Sequence, residues 1–392
     1  MGVYSDYLDR FSTGNFNDLA AERKLQLRRI SQIRQRDVLV FAADINKGNA
    51  QISIDYSDLV PFSDQLSNLK GGKLDLVLET PGGSGEVAED LVNAMRDQFE
   101  DVGVIIPGYA KSAGTIITMA ADEILMGPYS ALGPIDAQIF HHGKQFSADA
   151  LLEGMEKIKE EVTKTGVLNR AYIPILQGIS PGELQSAENA LSFAKTLVTQ
   201  WLAQYKFRTW HVHSSNQLPV TDDDKQHRAE TVADRLCDHG FWKTHGRSIK
   251  IKDLEAMRLK ITDYSKTPDL ADAIVRYFTL LQMTFATNIY KLFETTDSQI
   301  MRFVVPNVPL GQQQAIPIPT PAQLDKIFLD YECPKCKARG KIQANFVSGA
   351  PIEPGCIPFP TNNVFQCPSC GVQQNLVDLR RQIEAQFKKS II

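Results

Sequence analysis

The chain has 392 residues, 43% of them apolar and 22% charged, with a formal net charge of −4. That length suggests two or three units, and the near-balanced charge gives no global attraction to nucleic acid or an anionic membrane. Residues 1–24 lack a basic-then-apolar run, Asp6 stands where an acylation signal wants Ser or Thr, and no apolar run is long enough to span a bilayer, so a cytoplasmic protein is expected.

Residues 15–36 have a helical pattern whose second half is strongly basic (Arg23, Lys24, Arg28, Arg29, Arg34, Arg36), read as a solvated helix face. Short apolar runs follow at Val38–Phe41, Leu74–Leu78, Val102–Ile106 and Ile124–Met126, the pattern of strands buried on both faces. Between them, Val87, Leu91, Ala94 and Met95 share one face of a helix over Glu86–Phe99. Strand–helix alternation of this kind predicts a mostly parallel sheet with right-handed crossovers, an α/β architecture.

From 148 to 240 the pattern is largely helical, beginning with Ser147 as an N-cap. Helices are predicted at Glu183–Tyr205, Asp222–Asp238 and Pro268–Phe293, the last with proline in its first turn. Residues 301–325, rich in Pro, Gln and Gly, read as a linker. The expected organisation is therefore a helical segment at 1–36, an α/β domain at 37–300, that linker, and a cysteine-bearing domain at 326–392 with a terminal helix.

Five of the six cysteines fall between Cys333 and Cys370. Two CxxC knuckles, Cys333–Cys336 and Cys367–Cys370, place four thiolates to close a tetrahedral Zn²⁺ site with no open position, so the metal is expected to be structural. Cys356 and Cys237 are left outside this set. Residues 331–392 hold eight Lys and Arg against four acidic residues. That excess would tolerate nucleic acid, but it is ordinary for a zinc ribbon that binds protein, and recruitment of protein or substrate is favoured.

The residues richest in chemistry are Thr80-Pro81-Gly82-Gly83 and Lys111-Ser112-Ala113-Gly114-Thr115. A serine between a strand and a helix can be exposed on a tight turn, and small residues let backbone N–H groups approach an oxyanion. Tight strand–helix packing is the alternative origin of such small residues.

The longer strings LVLETPGGSGEVAEDL and PGYAKSAGTIITMAADEILMGPYSALGPIDAQI resemble the serine dehydrogenase proteinase family of the Clp peptidase/crotonase superfamily, and more distantly signal peptide peptidase A. The resemblance covers roughly residues 30–295. It implies a Clp/crotonase-type spiral of strand–strand–helix units with a helical insertion, Ser112 as nucleophile, and Gly83 and Ala113, with Gly82, at the oxyanion hole. It also implies a homo-oligomer. Lys111 departs from the family, which often has an apolar residue there.

The base is less direct. Asp136 stands near the place of the Clp histidine, and the segment after His245 resembles the Clp stretch after the third triad residue. A swapped triad of Ser112, His245 as base and Asp136 as orienter follows, since triads are defined by geometry rather than order. A lysine base, Lys144 first, is the alternative, followed by His239, His141 and His142. The function implied is an ATP-independent serine peptidase acting on protein or peptide, with no phosphate-loop motif in the chain and any unfolding power left to a partner. A crotonase-like acyl-CoA enzyme and a non-catalytic scaffold are the rival readings.

Overall fold

Two helices, α1 (Val3–Phe11) and α2 (Phe16–Arg34), precede strand β1 (Asp37–Ala43). There follow α3 (Leu59–Ser67), β2 (Lys73–Glu79), α4 (Gly85–Gln98), β3 (Asp101–Ile106), β4 (Tyr109–Ala110), α5 (Ala113–Met119), β5 (Glu123–Met126) and β6 (Ala131–Leu132). A hairpin, β7 (Gln138–His141) and β8 (Lys144–Ser147), leads into α6 (Ala148–Thr165), α7 (Ile173–Gln177), α8 (Pro181–Trp201), α9 (Asp222–Cys237), α10 (His239–Trp242) and α11 (Ile251–Ala256). Then come β9 (Thr262–Asp263), α12 (Pro268–Phe285), β10 (Ile289–Glu294) and β11 (Gln299–Phe303). This computed structural model describes residues 2–11, 16–141, 144–214, 216–304, 325–387 and 389–392. The chain divides into two units, Met1–Val305 and Pro306–Ile392.

The main sheet has the order β11-β10-β1-β2-β3-β5-β9. Strands β1, β2, β3, β5 and β9 run parallel, and β10 and β11 add an antiparallel edge beside β1. Alternate residues of each strand feed two cores. Leu39, Phe41, Leu76, Leu78 and Val104 face the core shared with α3, α4, α5 and α8. Val38, Val40, Val77 and Ile105 face the core shared with α2 and α12. Burial on both faces is why these strands are continuously apolar in sequence.

Local signals account for the helix starts. Ser84 caps α4 by accepting the Val87 N–H, and Ser147 caps α6 by accepting the Ala150 N–H. Each such cap contributes about 1 kcal/mol. Two expectations need correction. The helix predicted to reach Phe293 ends at Phe285, and Ile289–Glu294 pairs instead with β1. Ile289, Leu292 and Phe293 continue the helical spacing, but the open edge of β1 offers a full backbone ladder that spacing alone does not reveal. The basic face of α2 is also not fully solvated. Arg23 is completely buried, with its guanidinium 3.1–3.2 Å from both Glu294 carboxylate oxygens, and Arg34 pairs with Asp75 and Glu123. These pairs pin α2 to the sheet, and removing one partner would strand a buried charge. The expected linker shifts as well: residues 301–303 close β11, and 305–324 lie outside the described residues.

At the end of β2, Glu79 is 2% exposed and its carboxylate accepts the Tyr109 N–H at 2.8 Å. Burial, opposed by N–H donors from Tyr109 and Gly108, pushes its carboxyl up to about 8. The folded state thus keeps a proton that the unfolded chain loses between its ordinary value of 4.5 and about 8, so this group's contribution to stability is lost as pH rises through that window. Glu79→Gln cannot ionise. Its melting temperature should match the wild type near pH 5 and exceed it increasingly towards pH 8, by the equivalent of about 1–3 kcal/mol. Calorimetry over that range gives the check, and a difference that stays constant with pH would contradict it.

The second unit comprises a sheet of β12 (Lys326–Glu332), β13 (Arg339–Asn345) and β14 (Cys356–Pro358), a hairpin of β15 (Val364–Gln366) and β16 (Gln373–Asn375), and helix α13 (Val377–Phe387). Its small core includes Ile342, Phe346, Phe359, Phe365 and Ile383.

Candidate active site and metal centre

Ser112 lies between β4 and α5 as the residue before the first turn of α5. Its backbone sits at φ +49°, ψ −115°, a conformation that L residues avoid and that costs about 1–3 kcal/mol. The surroundings enforce it. The Lys111 N–H donates to the Thr80 carbonyl at 3.0 Å, and the Gly114 N–H returns to the Lys111 carbonyl at 2.8 Å. Gly82, at φ +102°, packs so closely that a Cβ there would stand 2.6 Å from Ser112 Cβ. Gly83, at φ +152°, abuts the backbone of Ile54, so a side chain there has no room. Ile54 donates to the Gly82 carbonyl at 2.8 Å and accepts from the Ser84 N–H at 3.0 Å. That segment is anchored by buried Lys291, whose Nζ donates to Ser53 O and to both oxygens of Asp58 at 2.8–2.9 Å.

The backbone donors divide cleanly. The Gly82 N–H is taken by Thr80 Oγ1 at 3.1 Å. Among the described residues, the N–H groups of Gly83 and Ala113 donate to nothing. Gly82 is therefore a close-packing residue, and the free donors beside Ser112 belong to Gly83 and Ala113.

Asp136 is 3% exposed, accepts hydrogen bonds from three side chains and has a second imidazole at ion-pair distance. Ser147 Oγ donates to Oδ1 at 2.6 Å, while Gln138 Nε2 (2.9 Å), His239 Nδ1 (3.0 Å) and His245 Nδ1 (3.5 Å) approach Oδ2. Burial works to raise its pKa, but the bonds from His245 and Ser147 and the charge of His239 outweigh that and hold it below the usual carboxylate range. Asp136 is thus a buried carboxylate with Nδ1 of two imidazoles against one of its oxygens. The Ser147 hydroxyl does double duty, capping α6 and binding Asp136.

Ser112, Asp136 and His245 line one cleft of about 420 Å³, whose apolar lining includes Ile116, Ile135 and Phe193. His239, which bonds the same Asp136 oxygen, is not part of the cleft lining. Ser112 Oγ makes no hydrogen bond to a described side chain, and catalytic contacts are often loose before substrate binds. Lys144 lies on β8, but its side chain and that of His141 fall outside the described residues, as does His142 altogether. In a larger groove of about 640 Å³ between α8 and α9, Lys195 pairs with Asp234, Lys225 pairs with Asp222 and Glu230 accepts from Gln226. Sequence reading ranked His239 behind His245 as a base and had no signal for its bond to Asp136, because 103 residues separate the two.

In the second unit, the sulfurs of Cys333, Cys336, Cys367 and Cys370 all lie within 4.8 Å of one another. Two of the separations are 3.5 Å (Cys333–Cys370) and 3.7 Å (Cys336–Cys367). A tetrahedral Zn²⁺ with Zn–S of about 2.3 Å places its sulfurs roughly 3.8 Å apart, so the donor set fits such an ion. The two knuckles are built alike. In the first, Cys333 N–H donates to Ala338 O and Lys337 N–H to Cys333 O, each at 2.9 Å. In the second, Cys367 N–H donates to Val372 O and Gly371 N–H to Cys367 O, again at 2.9 Å. Cys356, on β14, is not part of the cluster.

The architecture is thus a ClpP-like α/β protease fold followed by a small four-cysteine unit compatible with zinc. Residues 17–171 match the family model of ClpP-like SDH-type serine proteinases. Two uncharacterized proteins of Methanocaldococcus jannaschii are 38% identical over 90 residues and 35% identical over 88 residues. These stretches cover 23% and 22% of this chain, but only 30% and 29% of the relatives' own length. Among solved structures, the 1510-N membrane-bound stomatin-specific protease in a serine-to-alanine mutant is similar at 13% identity, covering 54% of this chain and 74% of that one, with a TM-score of 0.31. A lysine-to-alanine mutant of the same protease, in complex with a substrate peptide, gives 12% identity, coverage of 65% and 89%, and a TM-score of 0.32. Among the described residues, no helix is long and apolar enough to cross a membrane.

Proposed function

We propose that this chain is a serine peptidase in which Ser112 forms an acyl-enzyme. The observation that carries the reading is the strained Ser112 backbone at the head of α5, flanked by the undonated N–H groups of Gly83 and Ala113. His245 Nε2 takes the proton as Ser112 Oγ bonds to the peptide carbonyl carbon, and Asp136 holds the imidazolium. The carbonyl oxygen, now an anion, accepts from the Gly83 and Ala113 N–H groups. His245 then gives its proton to the leaving amine as the C–N bond breaks, and water, deprotonated by the same histidine, hydrolyses the ester.

Protein or peptide is the substrate, taken without ATP, and the working form is a homo-oligomer that encloses the clefts. The four cysteines hold a structural Zn²⁺, and the ribbon around them recruits a protein partner or substrate. A crotonase-like acyl-CoA enzyme would use the same oxyanion donors but has no need of a strained serine.

A fluorophosphonate probe tests the reading. Wild type should be labelled at one site, and Ser112→Ala should lose the label together with at least about 10³-fold of peptidase activity. A wild type that stays unlabelled in its assembled form would overturn the proposal.

A further inference from the structure

We propose that Lys111 is a positioning residue whose ammonium holds the turn bearing His245 against the turn bearing Ser112. The inference rests on the peptidase reading for its catalytic consequence but on geometry for the clamp. The backbone of Lys111 is part of the serine turn, bonded to Thr80 O and to the Gly114 N–H. Its side chain leads elsewhere: Nζ donates to Leu132 O at 3.1 Å, Arg247 O at 3.0 Å and Ser248 Oγ at 3.2 Å.

Those three acceptors use all three donors of a primary ammonium. Arg247 closes a turn with Thr244, its N–H donating to Thr244 O at 3.1 Å, and His245 sits inside that turn. Fixing Arg247 O therefore fixes the peptide frame of His245. The stem of Lys111 runs over Gly133, where a Cβ would stand 2.7 Å from Lys111 Cδ. Around this clamp, Leu132 and Ile249 exchange both backbone bonds, and Lys250 Nζ donates to Tyr129 O and Ser130 O.

Lys111 is not a base for Ser112. It is absent from the cleft lining, and its donors are spent away from it. Among the described residues no carboxylate pairs with it; Lys250 and the Tyr109 ring, with its centroid 5.5 Å from Nζ, are its ionisable neighbours. An apolar residue of equal length would leave Arg247 O without this donor and free the His245 turn to drift. Misplacement of a catalytic group by about 1 Å can cost about 10²-fold in rate.

The test is Lys111→Met in the full chain, with two readouts. In fluorophosphonate kinetics the maximal acylation rate should fall about 10- to 100-fold, with the half-saturating probe concentration within about twofold of wild type and full end-point labelling. A merely destabilised protein would instead lose end-point labelling. By hydrogen exchange, amides of 244–250 should exchange at least about tenfold faster, whether or not Ser112 labels. Ser248→Ala, which removes one acceptor and leaves two, should show both effects more mildly and covers the case in which Lys111→Met fails to fold. Unchanged exchange and unchanged maximal rate would overturn the clamp. Faster exchange with an unlabelled wild type would retain it and overturn the peptidase reading alone.

Discussion

Asp136→Asn is expected to slow acylation of Ser112 by about 10³–10⁴-fold. The carboxylate is a buried anion with Nδ1 of both His239 and His245 against Oδ2. An amide cannot stabilise an imidazolium, and its N–H₂ group would favour the tautomer with the lone pair on Nδ1, leaving a proton on the Nε2 that must act as base. The histidines should then separate. His245→Ala, which removes the ring that lines the cleft, should cost about as much as Asp136→Asn. His239→Ala, which removes a ring that does not line the cleft, should cost only about tenfold. Initial-rate labelling at pH 7.5, with melting temperatures for each variant, gives the comparison. If His239→Ala were the more damaging, the base would be His239 and the assignment of His245 would fall.

Removal of the metal is the second large effect. Apart from the four thiols, the second unit rests on one small core of eight buried apolar side chains, and a domain of that size is marginal without a further staple. Zinc bound by four thiolates contributes on the order of 10 kcal/mol to folding in such units. Cys333→Ser, or exhaustive chelation of the wild type, should therefore leave residues 325–392 unfolded and open to proteolysis. Fluorophosphonate labelling of Ser112 should persist, because none of the four cysteines lies in the unit that holds the cleft. Metal analysis should find one Zn²⁺ per chain in wild type and none in Cys333→Ser. A variant without metal that resisted protease like the wild type would refute a structural role.

How much was legible beforehand depends on how local the cause is. Strands β1, β2, β3 and β5 were readable because a strand buried on two faces is apolar at nearly every position, and that demand leaves a mark in a handful of residues. The Ser147 cap was readable for the same reason, as it acts on an N–H three residues away. By contrast, the end of α12 was misjudged because Ile289, Leu292 and Phe293 continue the helical spacing, and only the free edge of β1 selects the strand. Arg23 looked like a surface residue because its partners, Glu294 and Thr284, are more than 260 residues away.

The sequence by itself determined the two CxxC knuckles, the serine at a strand–helix junction and the paired glycines before it, since each is specified by residues within a few positions of one another. Tertiary structure alone decided that the N–H of Gly82 is spent on Thr80, and that His239 and Ser147 join the carboxylate of Asp136. It also decided that Lys111 reaches across to Arg247. The reason is physical: a hydrogen bond is specified by angstrom placement of donors and acceptors, and across a hundred residues that placement is set by how the sheet and its crossovers pack, which no short window of sequence encodes.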